Sequence, residues 1–253
     1  MSAPGVSALV IAQNAAGLIE RCVDSLSFAN EIVVVDGGSA DGTPELARDR
    51  GARVVANPWP GFAAQRRFAL GQARHAWIFA CDADEEVTPG LAAAIRAIVD
   101  GPGGADGYRV RRRNQFLGAW VDAGPWTDDW QLRLARRQAV RVTDAAVHEG
   151  YVVDGPVATL RPVLNHYTHP TIAESVRRMN VYTSLEARDR ARRRGVRVLD
   201  PVVAPAGVFF NYYLVKGCWR AGARGFLLAA TTAMYKSVLY VKTRALQHAA
   251  GDD

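Results

Sequence analysis

Four short apolar runs in the first hundred residues, VSALVIA, EIVVVD, ARVVA and AWIFACD, constrain the fold most tightly. Each has the length of a strand and is rich in β-branched or aromatic residues, and none alternates apolar with polar positions as a half-exposed strand does. Such strands are buried on both faces, so helices must cover both sides of their sheet. Helical patterns do lie between the runs. The second has a clear start, with Thr43 as candidate cap, Pro44 at the first helical position and Glu45 near the positive end of the dipole. Thr88-Pro89 repeats that signal after the fourth run. Four βα steps predict an α/β fold with a mainly parallel sheet, and ligands bind such sheets at the carboxyl ends of the strands.

From Gly107 to Arg161 the pattern changes to strand-like pieces separated by Gly, Asp and Trp-rich turns, an α+β extension of the same domain. Thr171 to Glu174 makes a capping box for a helix running to about Gly195, and further helical stretches are expected over about 206–220 and 225–247. Charge marks the boundary. Residues 1–170 hold 17 Lys and Arg against 19 Asp and Glu, and residues 171–253 hold 14 against 6, so nearly all of the +6 excess sits in the last third. We therefore expect a first domain over 1–170 and a basic, aromatic-rich helical extension over 171–253.

Three widely spaced cysteines, Cys22, Cys81 and Cys218, suit neither a disulfide framework nor a zinc site. The start MSAPGVSALVIAQN has no basic region before its short apolar run and does not read as a secretory signal. The expected location is the cytoplasm.

Negative charge gathers where the strands end. Asp36 closes the second run, and Asp82, Asp84, Glu85 and Glu86 follow the fourth. Like charges repel, so such a cluster needs a compensating partner. Asp82-Ala83-Asp84 has a spacing that lets one or both carboxylates reach a single hard cation, Mg²⁺ or Mn²⁺, with positions left for phosphate oxygens. Read by itself, the same stretch is also a solvated acidic loop before a helix N-terminus, and Glu85 and Glu86 are expected to be only that.

Taken together and in order, "VSALVIAQNAAGLIERCVDSL", "EIVVVDGGSADGT", "GFAAQRRFAL" and "CDADEE" resemble the family 2 glycosyltransferases of the GT-A fold. "GYRVRRRNQFLG", "DDWQLRLARR" and "VHEGYVVDG" are similar to the subgroup that adds sugars, often glucose, to the lipopolysaccharide core. The resemblance implies a UDP-sugar donor. It assigns Asp36 to the base or ribose, the backbone around Ala12 to Asn14 to the nucleoside, Gln65 and Arg66 to a helix facing the nucleotide, Asp84 to the metal, and Asp82 to the ribose or a metal-bound water. One departure is visible: the family commonly has an acid after the Asn of the first loop, and here Ala15-Ala16 follow Asn14.

Family 2 enzymes invert the anomeric centre, so the resemblance implies an in-line displacement in which an acceptor hydroxyl attacks C1 as the nucleoside diphosphate leaves. Arg133 could add positive charge at the leaving group beside the metal. The acceptor needs a general base, a role typically worth roughly 10² to 10⁴ in rate. Asp129 is the first candidate, Asp128 its neighbour and Glu149 the second. His148 is either a third metal ligand or a structural histidine, and His166 and His169 read as structural or loop residues. Trp126 and Trp130 suit either sugar stacking or a core edge.

The basic tail contains "VFFNYYLVKGCWRAG" and "GFLLAATTAMYKSVLYVK", but Lys216, Arg220, Arg224, Lys236 and Lys242 interrupt any window of the ~18 apolar residues that a spanning helix needs. A helix pair lying on the inner face of the cytoplasmic membrane and reaching a saccharide or lipid-linked acceptor fits, as does packing on the catalytic domain or on a second subunit of a homo-oligomer. Three rivals are weaker. A binding scaffold on a decayed transferase fold predicts loss of the rim acids, which are present. A dinucleotide-dependent oxidoreductase needs a glycine fingerprint that "AQNAAG" lacks. No nucleic-acid-binding module appears.

Overall fold

The computed structural model describes residues 3–143, 150–169, 171–193 and 195–249. They group into two compact units, Met1–Arg113 with Asp129–His166, and Asn114–Asp128 with Tyr167–Asp253. The second unit thus takes residues 114–128 from within the stretch that the sequence assigns to the first domain.

The first unit opens with β1 (Ala3–Ala12), α1 (Ile19–Ser25), β2 (Glu31–Asp36), α2 (Thr43–Asp49), β3 (Arg53–Ala56), α3 (Phe62–Gln72) and β4 (His75–Asp82). Then follow β5 (Glu85–Val87), α4 (Pro89–Val99), β6 (Gly107–Phe116), β8 (Trp130–Arg136), β9 (Val140–Val142), β10 (Tyr151–Val153) and β11 (Val157–His169), while the short β7 (Ala119–Trp120) falls among the residues of the second unit. The main sheet has the order β3-β2-β1-β4-β8-β6-β11-β5, with β7 on β6. Its first four strands are parallel and β8 joins β4 antiparallel. This is the α/β architecture that the four apolar runs predict.

The reason for those unbroken runs is visible in the packing. Val6, Ala8 and Val10 of β1 face one way, onto Ile19, Cys22, Val23 and Leu26 of α1 and Leu91 and Ile95 of α4. Leu9 and Ile11 face the other way, with Val33, Val35, Ile78 and Ala80, toward Ala69 of α3 and the β9–β10 hairpin. Each large aliphatic side chain buried this way contributes about 1.5–3 kcal/mol. A polar residue at either parity would lose that and strand an unpaired group.

The two helix starts differ in their caps. Thr88 caps α4 as expected, its Oγ1 accepting from the Leu91 N–H. Thr43 does not cap α2. Gly42, at φ 85°, holds the cap position, and the Thr43 hydroxyl donates to Asp41 while accepting from the Ala15 N–H at 2.8 Å. Glu85 is not a solvated acid either. The chain turns back at residue 84 into β5, which pairs antiparallel with β11 (His166 opposite Glu85), and this buries the Glu85 side chain to 1% exposure.

In the second unit, α5 (Ile172–Arg193), α6 (Asp200–Phe210) and α7 (Gly222–Ala249) are joined by a π turn over Asn211–Val215 and a 3₁₀ turn over Cys218–Ala221. Thr171 caps α5, accepting from the Glu174 N–H at 3.1 Å. Helix α6 starts earlier than expected because its two prolines are accommodated. Pro201 lies in the first turn, where no N–H is needed, and the carbonyl of Pro201, which Pro205 cannot serve, accepts the Ser237 hydroxyl of α7 at 3.1 Å. Helices α5 and α7 are bonded through polar groups: Lys242 donates to Asn180, Thr183 and Ser184, and Tyr235 donates to Glu186. Among the described residues no helix is long and apolar enough to cross a membrane.

Candidate active site

The parallel register sets two acids level on one rim. Asp36 lies opposite Ala12 across β1 and β2, and Asp82 lies opposite Ile11 across β1 and β4. Asp36 is nearly buried. Its Oδ2 accepts the N–H groups of Gly38 and Ser39 at 3.0 and 3.1 Å, and its Oδ1 accepts the Ser39 hydroxyl at 2.5 Å. Gly37 is required here, because an added Cβ would stand 2.5 Å from the Trp59 ring.

The first loop is tied to the second by backbone N–H groups that donate to side-chain oxygens. Asn14, in the left-handed region at φ 51°, donates its N–H to the Ser39 hydroxyl and accepts the Ala40 N–H. The Ala16 N–H donates to Asp41 at 3.0 Å. Where the family commonly has an acid after the Asn, this chain thus presents a carboxylate from the neighbouring loop. Ala12 accepts the Gly37 N–H at 2.8 Å, which closes the floor between the loops.

At the end of β4 three carboxylates alternate with three guanidinium groups. Arg66 donates to Asp82 Oδ1 at 3.0 Å, and Arg133 donates to Asp82 Oδ2 at 2.7 Å and to Glu85. Glu85 accepts the Asp82 N–H through its second oxygen at 2.9 Å and lies 3.6 Å from Arg112. Arg112 grips Asp129 Oδ2 at 2.8 and 2.7 Å, while Gln131 donates to Asp129 Oδ1 at 2.7 Å. Burial by itself would raise the Asp82 carboxyl, but the charges of Arg133 and Arg66 outweigh it and hold Asp82 well below the usual carboxylate range. For Glu85 burial wins over Arg133, and its pKa is raised. Burial opposes the charge on Arg133, yet Asp82 and Glu85 keep it firmly protonated. Tyr151, whose ring lies under Arg66 at 5.9 Å, is pushed up to about 12, by burial first.

The remaining expected residues are placed as follows. Gln65 is fully buried, with its amide spent on Asn57 in both directions. Asp84 has the His166 Nε2 at 3.5 Å, a carboxylate and an imidazole side by side. His148 and Glu149 lie outside the described residues. Trp130 begins β8 partly exposed, whereas Trp126 packs edge-on against Phe116 at 5.8 Å. Asp128 is exposed at the end of a 3₁₀ turn.

Among the described residues no three His, Cys, Asp or Glu side chains gather around one point. Asp82 has both oxygens engaged by arginines, and Asp84 lies beside His166. A carboxylate suits Mg²⁺ or Mn²⁺ retaining positions for water and phosphate, and an imidazole nitrogen, as the softer donor, matches Mn²⁺ better than Mg²⁺. Sequence reasoning missed His166 and Glu85. The signal for both was the long β-rich run after Gly155, whose pairing with residues 85–87 brings them together.

The family described as "Glycosyl transferase family 2" matches residues 7–151 of this chain. A lipopolysaccharide core biosynthesis glycosyltransferase, LpsC of Rhizobium meliloti, is 33% identical over 238 residues, covering 91% of this chain and 88% of the relative. An uncharacterized glycosyltransferase of Rickettsia bellii is 26% identical, covering 95% of this chain and 86% of its own length. Among solved structures, glucosyl-3-phosphoglycerate synthase from Mycobacterium tuberculosis, in complex with Mn²⁺, UDP and glucosyl-3-phosphoglycerate, aligns with a TM-score of 0.47 at 18% identity, over 72% of this chain and 77% of that one.

Proposed function

The chain belongs to glycosyl transferase family 2, and we propose that it transfers a hexose, glucose first, from a UDP-sugar to a saccharide or glycolipid acceptor of the lipopolysaccharide-core kind, with inversion and with a divalent metal. The observation that carries this reading is the register that sets Asp36 and Asp82 level on neighbouring strands, with tied loops between them, as a nucleoside diphosphate requires. A non-catalytic scaffold would have no use for two arginines holding Asp82 in one geometry.

In this reading Asp36 and the backbone from Ala12 to Asn14 hold the nucleoside, Gln65 keeps α3 in place through Asn57, and Arg66 sets Asp82 toward the ribose. Asp84 and His166 would hold Mg²⁺ or Mn²⁺, with His148 as a further candidate ligand. The ion supplies Lewis-acid stabilisation of charge on the leaving diphosphate. Arg133, expected to touch that diphosphate, is better placed as a positioning residue, since its guanidinium is buried between Asp82 and Glu85. The acceptor oxygen attacks C1, the C1–O bond to UDP breaks with its electron pair, and the hydroxyl proton passes to a carboxylate. Asp129 is the first choice for that base. Arg112 and Gln131 fix the plane of its carboxylate. Asp128 and Glu149 remain the alternatives.

We place the protein at the inner face of the cytoplasmic membrane. In the second unit Val198, Val202, Val203, Phe210, Val215 and Trp219 are more than half exposed. Lys216 and Arg220 lie among them, the mixture that an interfacial helix uses against anionic lipid.

Calorimetry of UDP-glucose and other nucleotide-sugars, with Mg²⁺ or Mn²⁺ present and absent, tests the core of the proposal. Tightest binding of UDP-glucose with metal is expected, and metal-indifferent binding of every donor would overturn it. Asp129→Asn should bind donor normally and transfer about 10² to 10⁴ more slowly. Full transfer by that variant would move the base to Asp128 or Glu149.

A further inference from the structure

The second unit contains a cavity of about 530 Å³, within the size range of small-molecule sites. Its wall carries Lys216, Arg220 and Arg224, against a single carboxylate, Asp122. None of the three cations forms an ion pair with a described residue, and Arg220 lies 5.5 Å over the Trp219 ring. The three side chains are exposed, so water screens their mutual repulsion, and together they set a positive potential over the hollow that favours an anion.

The backbone adds to the same field. The first turn of α7 lines the cavity through Arg224 and Gly225, which brings the positive end of a 28-residue helix to its wall. Glycines make this possible. Gly217 and Gly222 turn the chain at φ 77° and 59°, and a Cβ on Gly225 would stand 1.7 Å from the Cys218 carbonyl. The rest of the wall is of another kind. Trp120 offers an indole to the cavity, and Asp122 offers an acceptor suited to a hydroxyl.

We propose that this cavity binds a phosphorylated saccharide, with its phosphate on Lys216, Arg220, Arg224 and the α7 N-terminus, a hydroxyl on Asp122 and a ring face against Trp120. That the ligand is the sugar acceptor rests on the transferase reading; that the cavity binds it does not. The same chemistry is offered by a free sugar phosphate and by a phosphorylated polyol headgroup in a membrane.

The full-length protein is titrated with glucose 6-phosphate, with glucose, and with phosphatidylcholine vesicles carrying either phosphatidylinositol 4-phosphate or phosphatidylglycerol at equal charge. UDP binding is followed separately. Expected is binding of glucose 6-phosphate or of the phosphoinositide vesicles, at least about tenfold weaker in the double variant Arg220→Gln/Arg224→Gln and largely retained in Arg220→Lys/Arg224→Lys, with UDP binding unchanged in both. Binding of the soluble sugar phosphate assigns a free ligand, and binding of the phosphoinositide vesicles alone assigns a headgroup. Equal binding to both vesicle types without glucose 6-phosphate binding, equal binding by wild type and the Gln variant, or glucose binding as tightly as its phosphate overturns the proposal. If the cavity fails while UDP binds, the transferase reading stands; if UDP does not bind while the cavity takes its ligand, the transferase reading falls alone.

Discussion

The two units place opposite kinds of residue inside. The first hides its β-branched strands on both faces and gathers its buried charges at one rim, where Arg133 meets Asp82 and Glu85. The second bonds its helices through Lys242, Tyr235 and Ser237 and leaves large apolar side chains outside, Val215 at 79% exposure. A unit of the first kind is complete in water. One of the second kind is stabilised by directional bonds and keeps apolar area free for something else.

The rim is where the contrast breaks most sharply. Arg133→Met removes the cation between two carboxylates and leaves Asp82 and Glu85 facing each other in a buried site. Breaking a buried pair in this way costs about 3–5 kcal/mol, and urea unfolding should show a loss of that size together with weakened UDP binding. A smaller loss, about 1 kcal/mol or less, would mean that the knot is solvated and the first unit less dry than its packing implies.

Acid sharpens the same point. The folded pKa of Asp82 lies below its unfolded value near 3.9, so its contribution is present above that pH and is lost as pH falls toward the folded value. Glu85, raised on folding, acts in the opposite sense, favouring the folded state below its unfolded pKa and losing that contribution as pH rises through the folded one. Asp82→Asn should therefore flatten the fall in stability below about pH 4, by up to about 2–3 kcal/mol. Parallel wild-type and variant curves over that range would remove Asp82 as the anchor of the knot.

Much of the first unit was legible because its rules are local. Burial on both faces forces unbroken apolar runs, and Thr88 caps through a residue three positions away. What was not legible depends on distant partners. Pro162 within β11 argues against a strand, and the inward turn of Glu85 follows only from pairing with a residue some eighty positions later. The acids of the site could be picked out by their place after strands, but the arginines that hold Asp82 come from α3 and β8, elements that only the folded sheet brings to it. In the second unit the early start of α6 depends on a distant partner too, since the Pro201 carbonyl left unserved by Pro205 is taken by the Ser237 hydroxyl of α7.

The exposed apolar side is the next place to test the contrast. Val202→Ser/Val203→Ser/Val215→Ser removes methyl groups that touch little in the folded unit, so thermal stability should stay within about 0.5 kcal/mol. Partition onto anionic vesicles should fall about tenfold, read by co-sedimentation. Unchanged partition would assign vesicle attraction to the basic residues by themselves.

The smallest effect tests the inside of the second unit. Ser237→Ala takes away the hydroxyl that serves the Pro201 carbonyl, and no backbone N–H replaces it because residue 205 is proline. One net hydrogen bond is worth about 0.5–1.5 kcal/mol, and that is the loss expected in urea unfolding. Pro205→Ala restores the missing N–H, so in that background Ser237→Ala should cost clearly less. The double-mutant cycle isolates the pair, and additive losses would show that the hydroxyl and the proline are unrelated.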